Sequence, residues 1–322
     1  MRALVTGASG FLGFHLAQQL HAAGVELRLT YAPGDPAAHL DEVPAERAPC
    51  DLGDERALRR LCDGVEAVFH VAGLVTFAPW RRAAQWRVNV EGTRALLAAA
   101  RAAGVRRFVY TSTVNTVGIP RPGRLGDEET PFDWARYHIG YMDSKHAAQA
   151  LVQAAAPAVG AVSVLPGTMF GPHDVNLNGA GYVALVARSP LVVPPPGGTC
   201  VVHVADVARG HLLALERGRV GARYILGGDP VSYRELLGWI AADLGRRAPL
   251  PAPPAALWRG AGRLADRLGR VWGLLALEGL AVALSSELYY SSARAERELG
   301  WTHRPARAAV REAAGWYAAL RP

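Results

Sequence analysis

Lysine is almost missing from this chain, and arginine supplies nearly all of its 35 basic residues. A formal charge of +7 and a pI near 9.7 would suit a nucleic acid or an anionic surface. No dense Lys/Arg run or nucleic-acid motif accompanies them, so the arginines read as a compositional bias. Cysteine is scarce too. Cys50, Cys62 and Cys200 are scattered, with no CxxC pair and no metal-ligand spacing, which excludes a disulfide framework or zinc ribbon and fits a reduced cytoplasm. Long hydrophobic runs are also lacking. The longest apolar stretch, Val271 to Leu284, contains Glu278 and falls short of the roughly 20 residues a membrane span needs. No charged n-region precedes an apolar h-region, so no signal peptide is expected. With half its residues hydrophobic, the chain has ample material for a core, and disorder is excluded.

Strand and helix patterns alternate through the first half. Ala3-Leu4-Val5-Thr6 reads as a buried strand, Phe11 to Ala23 has helical spacing, and Leu27 to Tyr31 is a second strand. Ala67 to Val71 and Arg107 to Thr111 follow, separated by alanine-rich helical segments such as Gly92 to Ala103. This succession predicts an α/β fold: a doubly wound parallel sheet of Rossmann type. Residues 1–160 are expected to form that domain, with later strands returning from 161–170 and around 200–210. Residues 171–322 should then form mostly a smaller, mainly helical C-terminal substrate lobe. No internal repeat is visible.

Between the first strand and helix stands Gly7-Ala8-Ser9-Gly10-Phe11-Leu12-Gly13. Glycines there permit a tight turn and let backbone approach a pyrophosphate at the helix N-terminus. The Gly-x-x-Gly-x-x-Gly form resembles the extended short-chain dehydrogenase superfamily, the epimerase/dehydratase group. Its dihydroflavonol-reductase-like and hopanoid-associated sugar-epimerase-like branches are the most similar. Asp51-Leu52, Val71-Ala72-Gly73, Asn89-Val90-Glu91-Gly92-Thr93, Val202 to Ala208 and Ser292 to Trp301 extend the resemblance over nearly the whole chain. It implies NADP or NAD as cofactor, with contacts from Gly7, Ser9, Gly10, Phe11, Leu12, Gly13, Asp51, Leu52, Val71, Ala72, Gly73, Asn89, Ser112, Tyr141, Lys145, Pro166 and Thr168. NAD-selective relatives place a carboxylate at the end of the second strand. Here Leu29-Thr30-Tyr31-Ala32 has none, which favours NADP.

Tyr141 and Lys145 stand four residues apart, on one face of a helix. A neighbouring ammonium favours the phenolate and brings tyrosine from about pKa 10 toward working pH. The phenol can then exchange the hydroxyl proton as hydride moves. Tyr137 lacks such a partner, because its i+4 residue is Tyr141. Thr111, Ser112 and Thr113 all offer a third hydroxyl at a strand end. Counting back from Gly118, where the family often carries glycine, points to Thr113 as catalytic and Ser112 as a cofactor contact.

The dehydratases this group includes carry an Asp-Glu pair after the catalytic threonine, and this chain has Val114 and Asn115. The segment Val164 to Pro172 is more similar to dihydroflavonol reductases and hydroxysteroid dehydrogenases than to sugar epimerases. Phe77, Trp80, Trp86, Trp258 and Trp272, among eight tryptophans, point to an aromatic-lined cavity. His138 and His173 are further candidates for reaching the substrate, whereas His203 and Asp206 read as structural. The expected activity is hydride transfer on a bulky, mainly apolar ketone or secondary alcohol. A nucleotide-sugar epimerase with retained NAD is the alternative, and a cofactor-binding regulator is opposed by the intact Thr, Tyr and Lys. The resemblance further implies a homodimer through the helices around Gly92 to Ala103 and Tyr141 to Ala156.

Overall fold

The computed structural model describes residues 1–272 and 277–320, with the side chains of 268–272 and 277 outside that description. The expected roles of Trp272 and of the start of the Val271–Leu284 stretch therefore fall outside the described residues. Strands β1 (Arg2–Thr6), β2 (Glu26–Tyr31), β4 (Ala67–His70), β5 (Arg107–Thr111) and β6 (Ala161–Pro166) are short runs whose central residues are shut off from solvent, whereas β3 (Glu46–Pro49) is a polar, mostly exposed edge strand. The short strand β7 (Thr168–Phe170) follows, then β8 (Gly198–His203), β9 (Arg223–Leu226), β10 (Asp229–Ser232) and β11 (Glu287–Leu288).

Seven strands form one parallel sheet in the order β3-β2-β1-β4-β5-β6-β9. Burial on both faces explains the continuous apolar runs in its central strands. Helices α1 (Phe11–Ala22), α2 (Glu55–Cys62), α3 (Arg82–Gln85), α4 (Gly92–Ala102), α5 (Gly140–Val159), α6 (Ala180–Arg188) and α7 (Val204–Arg217) follow the strands. One core lies under α1 and α7, with Phe14, Leu16, Val207 and Trp301 against Val5 and Phe69. The other lies under α2, α4 and α5, with Leu58, Leu96 and Val152 against Leu4, Val68 and Phe108. The strand order reverses between β1 and β4, which opens a crevice beyond their carboxyl ends.

The strand expected around 200–210 does not return to this sheet. β8 is the middle of a second, four-stranded sheet, with β10 antiparallel on one side and β7 and β11 parallel on the other. The main sheet is completed instead by β9, which pairs with β6 from Ser163 to Pro166. A buried strand can satisfy its backbone in either sheet, so its apolarity alone does not assign it. The second sheet packs with α6, α8 (Tyr233–Asp243) and α12 (Ala306–Ala319) around Phe170, Val201, Leu237 and Val310. Helices α9 (Ala255–Trp272), α10 (Leu277–Leu284) and α11 (Ala293–Leu299) complete the mainly helical C-terminal part.

Helix α5 carries both Tyr141 and Lys145, and its end is defined by Gly160 in the left-handed region at φ 57°. A β-carbon there would stand 2.2 Å from the carbonyl oxygen of Arg106. Gly160→Ala should destabilise the protein by about 2 kcal/mol or more, from left-handed strain and the clash together. Urea unfolding reads this directly, and an unshifted midpoint would contradict the packing described.

Candidate active site

The crevice is a cleft of about 610 Å³ over the ends of β1, β2, β4, β5 and β6. Its floor is the glycine turn. Gly7 adopts φ 68°, and a β-carbon on it would sit 2.7 Å from Ala72 backbone. One on Gly13 would sit 2.1 Å from the Gly7 carbonyl oxygen. Helix α1 thus starts directly against the turn, and no side chain caps it at Gly10. Uncapped amides in a helix's first turn, above a cradle without side chains, suit an anionic pyrophosphate.

A one-way hydrogen-bond chain braces this turn. The Ala72 N–H donates to Thr6 Oγ1 (3.2 Å), so the Thr6 hydroxyl is left to donate to His70 Nδ1 (2.8 Å). His70 Nε2 then donates to Thr93 Oγ1 (2.8 Å), whose hydroxyl donates to the Asn89 carbonyl (2.6 Å). Burial, with a smaller contribution from Lys145, pushes the His70 imidazole down to about 3, so it stays neutral.

Asn89 does not line the cleft. Its side-chain oxygen accepts from Leu74 N–H (2.7 Å), and its Nδ2 donates to the Leu74 carbonyl and Ser144 Oγ (3.0 Å). The Ser144 hydroxyl donates to the Tyr141 carbonyl (2.9 Å). Asn89 therefore ties the loop after β4 to the first turn of α5, where a direct cofactor contact was expected. Thr168 also lies off the cleft: its hydroxyl pairs with Thr199 in the second sheet (2.8 Å), because the register with β8 puts both on one sheet face. Gly7, Ser9, Gly10, Phe11, Leu12, Gly13, Asp51, Leu52, Val71, Ala72, Gly73, Ser112, Thr113, Tyr141, Lys145 and Pro166 are all brought together in the lining.

Lys145 is the sole lysine of the chain and is buried. Its ammonium donates to the Thr111 carbonyl (2.7 Å) and lies 4.4 Å over the Tyr110 ring. Thr111 is held by His211, whose Nδ1 donates to the Val207 carbonyl and whose Nε2 accepts from the Thr111 hydroxyl (2.8 Å each). Burial pushes Lys145 down to about 7. It also pushes the Tyr141 phenol up to about 12, opposed by a hydrogen bond with the Thr113 side chain. The expected drop in the phenol's pKa is thus reversed in the protein alone, because desolvation outweighs the hydrogen bond with Thr113.

Beyond Tyr141 lies a second cavity of about 430 Å³, lined by Phe77, Pro79, Tyr137, His138, Ile139 and Leu280 among others. Phe77 meets the Tyr141 ring edge-on, with centroids 5.7 Å apart at 71°. No tryptophan lines either cavity among the described residues. Trp134 and Trp301 are core, and Trp80 is 75% exposed, so the tryptophan count misled. His173 packs on Phe14 and Trp316, away from both cavities. His203 caps α7 and hydrogen-bonds Glu312 (2.9 Å), and Asp206 holds Arg304. Asp35 was not anticipated. It lies beyond the strand end, yet it lines the cleft and accepts from Ser9 Oγ (3.0 Å).

The unfolded chain keeps the lysine proton to about the ordinary 10.5, whereas the folded chain releases it near 7. Between those values the unfolded state binds more protons, so this group makes stability rise with pH. Lys145→Met should flatten that rise between about pH 7 and 9 in urea unfolding. Parallel pH profiles for variant and wild type would show that the ammonium is not desolvated.

Comparison with known proteins agrees with this architecture. The profile of the NAD dependent epimerase/dehydratase family matches residues 3–227. Sterol demethylase protein B of Methylococcus capsulatus is 33% identical, with 98% of each chain covered. A putative dihydroflavonol 4-reductase of Synechocystis is 32% identical over 97% of this chain and 93% of its own. The crystal structure of gox2253 superposes with a TM-score of 0.89 at 34% identity, covering 99% of this chain and 98% of that one. The chain belongs to the NAD-dependent epimerase/dehydratase family, the extended short-chain dehydrogenases, and is an enzyme of that family.

Proposed function

We propose that the enzyme moves hydride between a nicotinamide cofactor and a bulky, mainly apolar ketone or secondary alcohol, with Thr113, Tyr141 and Lys145 as its catalytic set. The observation that carries this reading is Phe77, whose ring leans edge-on against Tyr141 at the entrance to the second cavity. A reacting carbonyl at Tyr141 would have an apolar wall at once beside it. A nucleoside-diphosphate substrate, unlike a cofactor seated on the glycine turn, would call for free cationic donors of its own. Among the described residues Lys145 is the only cation lining the first cleft. In the second, Arg82 is engaged by Asp143 (3.0 Å) and the His138 carbonyl, and Arg136 by Asp133 (3.4 Å). The sterol and dihydroflavonol in the relatives' names point the same way. A nucleotide-sugar epimerase with retained NAD is the reading this disfavours.

In the reductive direction Thr113 and Tyr141 hydrogen-bond the carbonyl oxygen. When bound, the nicotinamide would supply the hydride to the carbonyl carbon. The C=O π pair moves to oxygen, which takes the Tyr141 proton and leaves phenolate. A phenol held protonated by burial is the acid this step needs. The Lys145 ammonium steadies the phenolate as it forms, and the Lys145 side chain would also help hold the cofactor ribose. In the same reading residues 1–160 hold the cofactor and 171–322 mostly form the substrate lobe. The protein works as a homodimer through α4 and α5 in a reducing cytoplasm, where its three cysteines are free thiols. Tyr141→Phe should lower ketone-dependent NADH oxidation by about 10²- to 10⁴-fold. Intact turnover in that variant, or tightly held NAD that never exchanges, would remove this reading.

We infer that the cofactor is NAD. The chain turns through Pro33 and Gly34, with the Asp35 N–H bonded to the Ala32 carbonyl (3.1 Å), and brings the carboxylate back to Ser9. Asp35 and Asp51 both line the cleft, and no guanidinium does among the described residues. Two carboxylates there would repel a 2′-phosphate by several kcal/mol, roughly, while Asp35 could accept from a ribose hydroxyl. This reverses the preference drawn from the bare end of β2. Asp35→Ser should shift the NADP/NAD ratio of kcat/KM by about tenfold or more toward NADP. Wild-type preference for NADP would refute it.

A further inference from the structure

The first cleft is lined from the C-terminal half of the chain as well as from the glycine turn. Between β7 and α6 the backbone runs through residues 171–179, and Asn176 and Asn178 of this loop are part of the lining. The loop passes beside the first turns of α1. His15 Nε2 donates to the Pro172 carbonyl (3.0 Å), and the His173 ring packs on Phe14 with centroids 5.1 Å apart. The base of the loop is a buried carboxylate. Asp174 accepts from the Asn178 N–H (3.0 Å), Asn178 Nδ2 (3.2 Å) and the Ala180 N–H (2.8 Å). A β-carbon on Gly179 would stand 2.1 Å from the Met169 carbonyl oxygen, so the loop closes tightly on β7.

The tip of the loop is different. Val175, Asn176 and Leu177 are all exposed, and His173 and Leu177 adopt left-handed φ angles of 66° and 54° without being glycine. Apolar burial does not account for a strained, exposed tip. Such conformations persist where surrounding bonds fix them, and they recur at ligand clamps. The chemistry of the lining says what would be clamped. Among the described residues, side-chain N–H groups reach this cleft only from Lys145, Asn176 and Asn178. Lys145 is engaged by the Thr111 carbonyl, and the Asn178 amide is turned to Asp174. The Asn176 amide has no hydrogen-bond partner among the described residues. No guanidinium lines the cleft. A pyrophosphate on the glycine turn therefore meets the backbone amides of α1 and this one uncommitted side-chain amide.

We infer that Asn176 clasps the cofactor: its amide donates to the pyrophosphate of the bound dinucleotide, and the Asp174-anchored loop holds it in place to do so. The cofactor site thereby extends beyond residues 1–160 into the C-terminal half of the chain. The inference rests on the dinucleotide site and not on the proposed ketone, because binding is read without turnover.

The test is binding to the full chain of NADH, followed by fluorescence, and of ADP-ribose, followed by calorimetry. ADP-ribose carries the pyrophosphate without the nicotinamide. Asn176→Ala should weaken both by about tenfold, the loss of one hydrogen bond to a charged group. Asn176→Asp should weaken both by about a hundredfold, through repulsion of the phosphates. The melting temperature of the free protein should be unchanged in each. Wild-type affinity of the alanine variant for NADH overturns the inference, and so does a loss confined to NADH, which would seat the amide at the nicotinamide. An aspartate variant that binds no worse than the alanine one overturns it too. A lower melting temperature for Asn176→Ala would make the amide a brace of the fold instead. Absence of ketone-dependent turnover would remove the proposed reaction and leave these affinities as they are.

Discussion

Burial of one ammonium organises the centre of this enzyme. Among the described residues no carboxylate pairs with Lys145, which is held by the Thr111 carbonyl and the face of Tyr110. Such a charge is costly in a low dielectric, and the protein meets that cost with rigid neutral partners. Thr111 is in turn fixed by His211, and His211 by Val207, so strand β5 and helix α7 both bear on where the carbonyl points. A carboxylate partner would hold the proton more firmly but would also screen the ammonium from a forming phenolate.

A second set of contacts keeps the cofactor side in register with the chemistry. The relay from Ala72 through Thr6, His70 and Thr93 to Asn89 joins the glycine turn, β4 and α4. Asn89 continues it to Leu74 and Ser144, one residue before Lys145. Each hydroxyl and ring nitrogen has a single consistent donor direction. Because His70 remains neutral, the relay keeps that direction over the ordinary pH range.

What could be read in the sequence was what local pattern determines. The strand–glycine turn–helix opening, the parallel sheet and the Tyr141–Lys145 helix face follow from spacing within a few residues. What could not be read depends on distant partners. The apolar run 198–203 is equally good in either sheet, and only pairing with β10 and β7 assigns it to the second. Asp35 was hidden because its place depends on the path through Pro33 and Gly34, not on the strand it follows. Thr168 was expected at the cofactor, and its contact with Thr199 instead depends on a register with β8 that the local sequence does not show. The tryptophans misled because a large ring fills a core as readily as it walls a cavity: Trp134 and Trp301 are fully buried.

An amine-free exterior follows from having a single, interior lysine. Amine-directed acylating reagents and cross-linkers would therefore find no side-chain amine on the surface the described residues present. Any adduct on the lysine nitrogen would report access to the floor of the cleft, so the molecule carries a built-in chemical gauge of its own integrity.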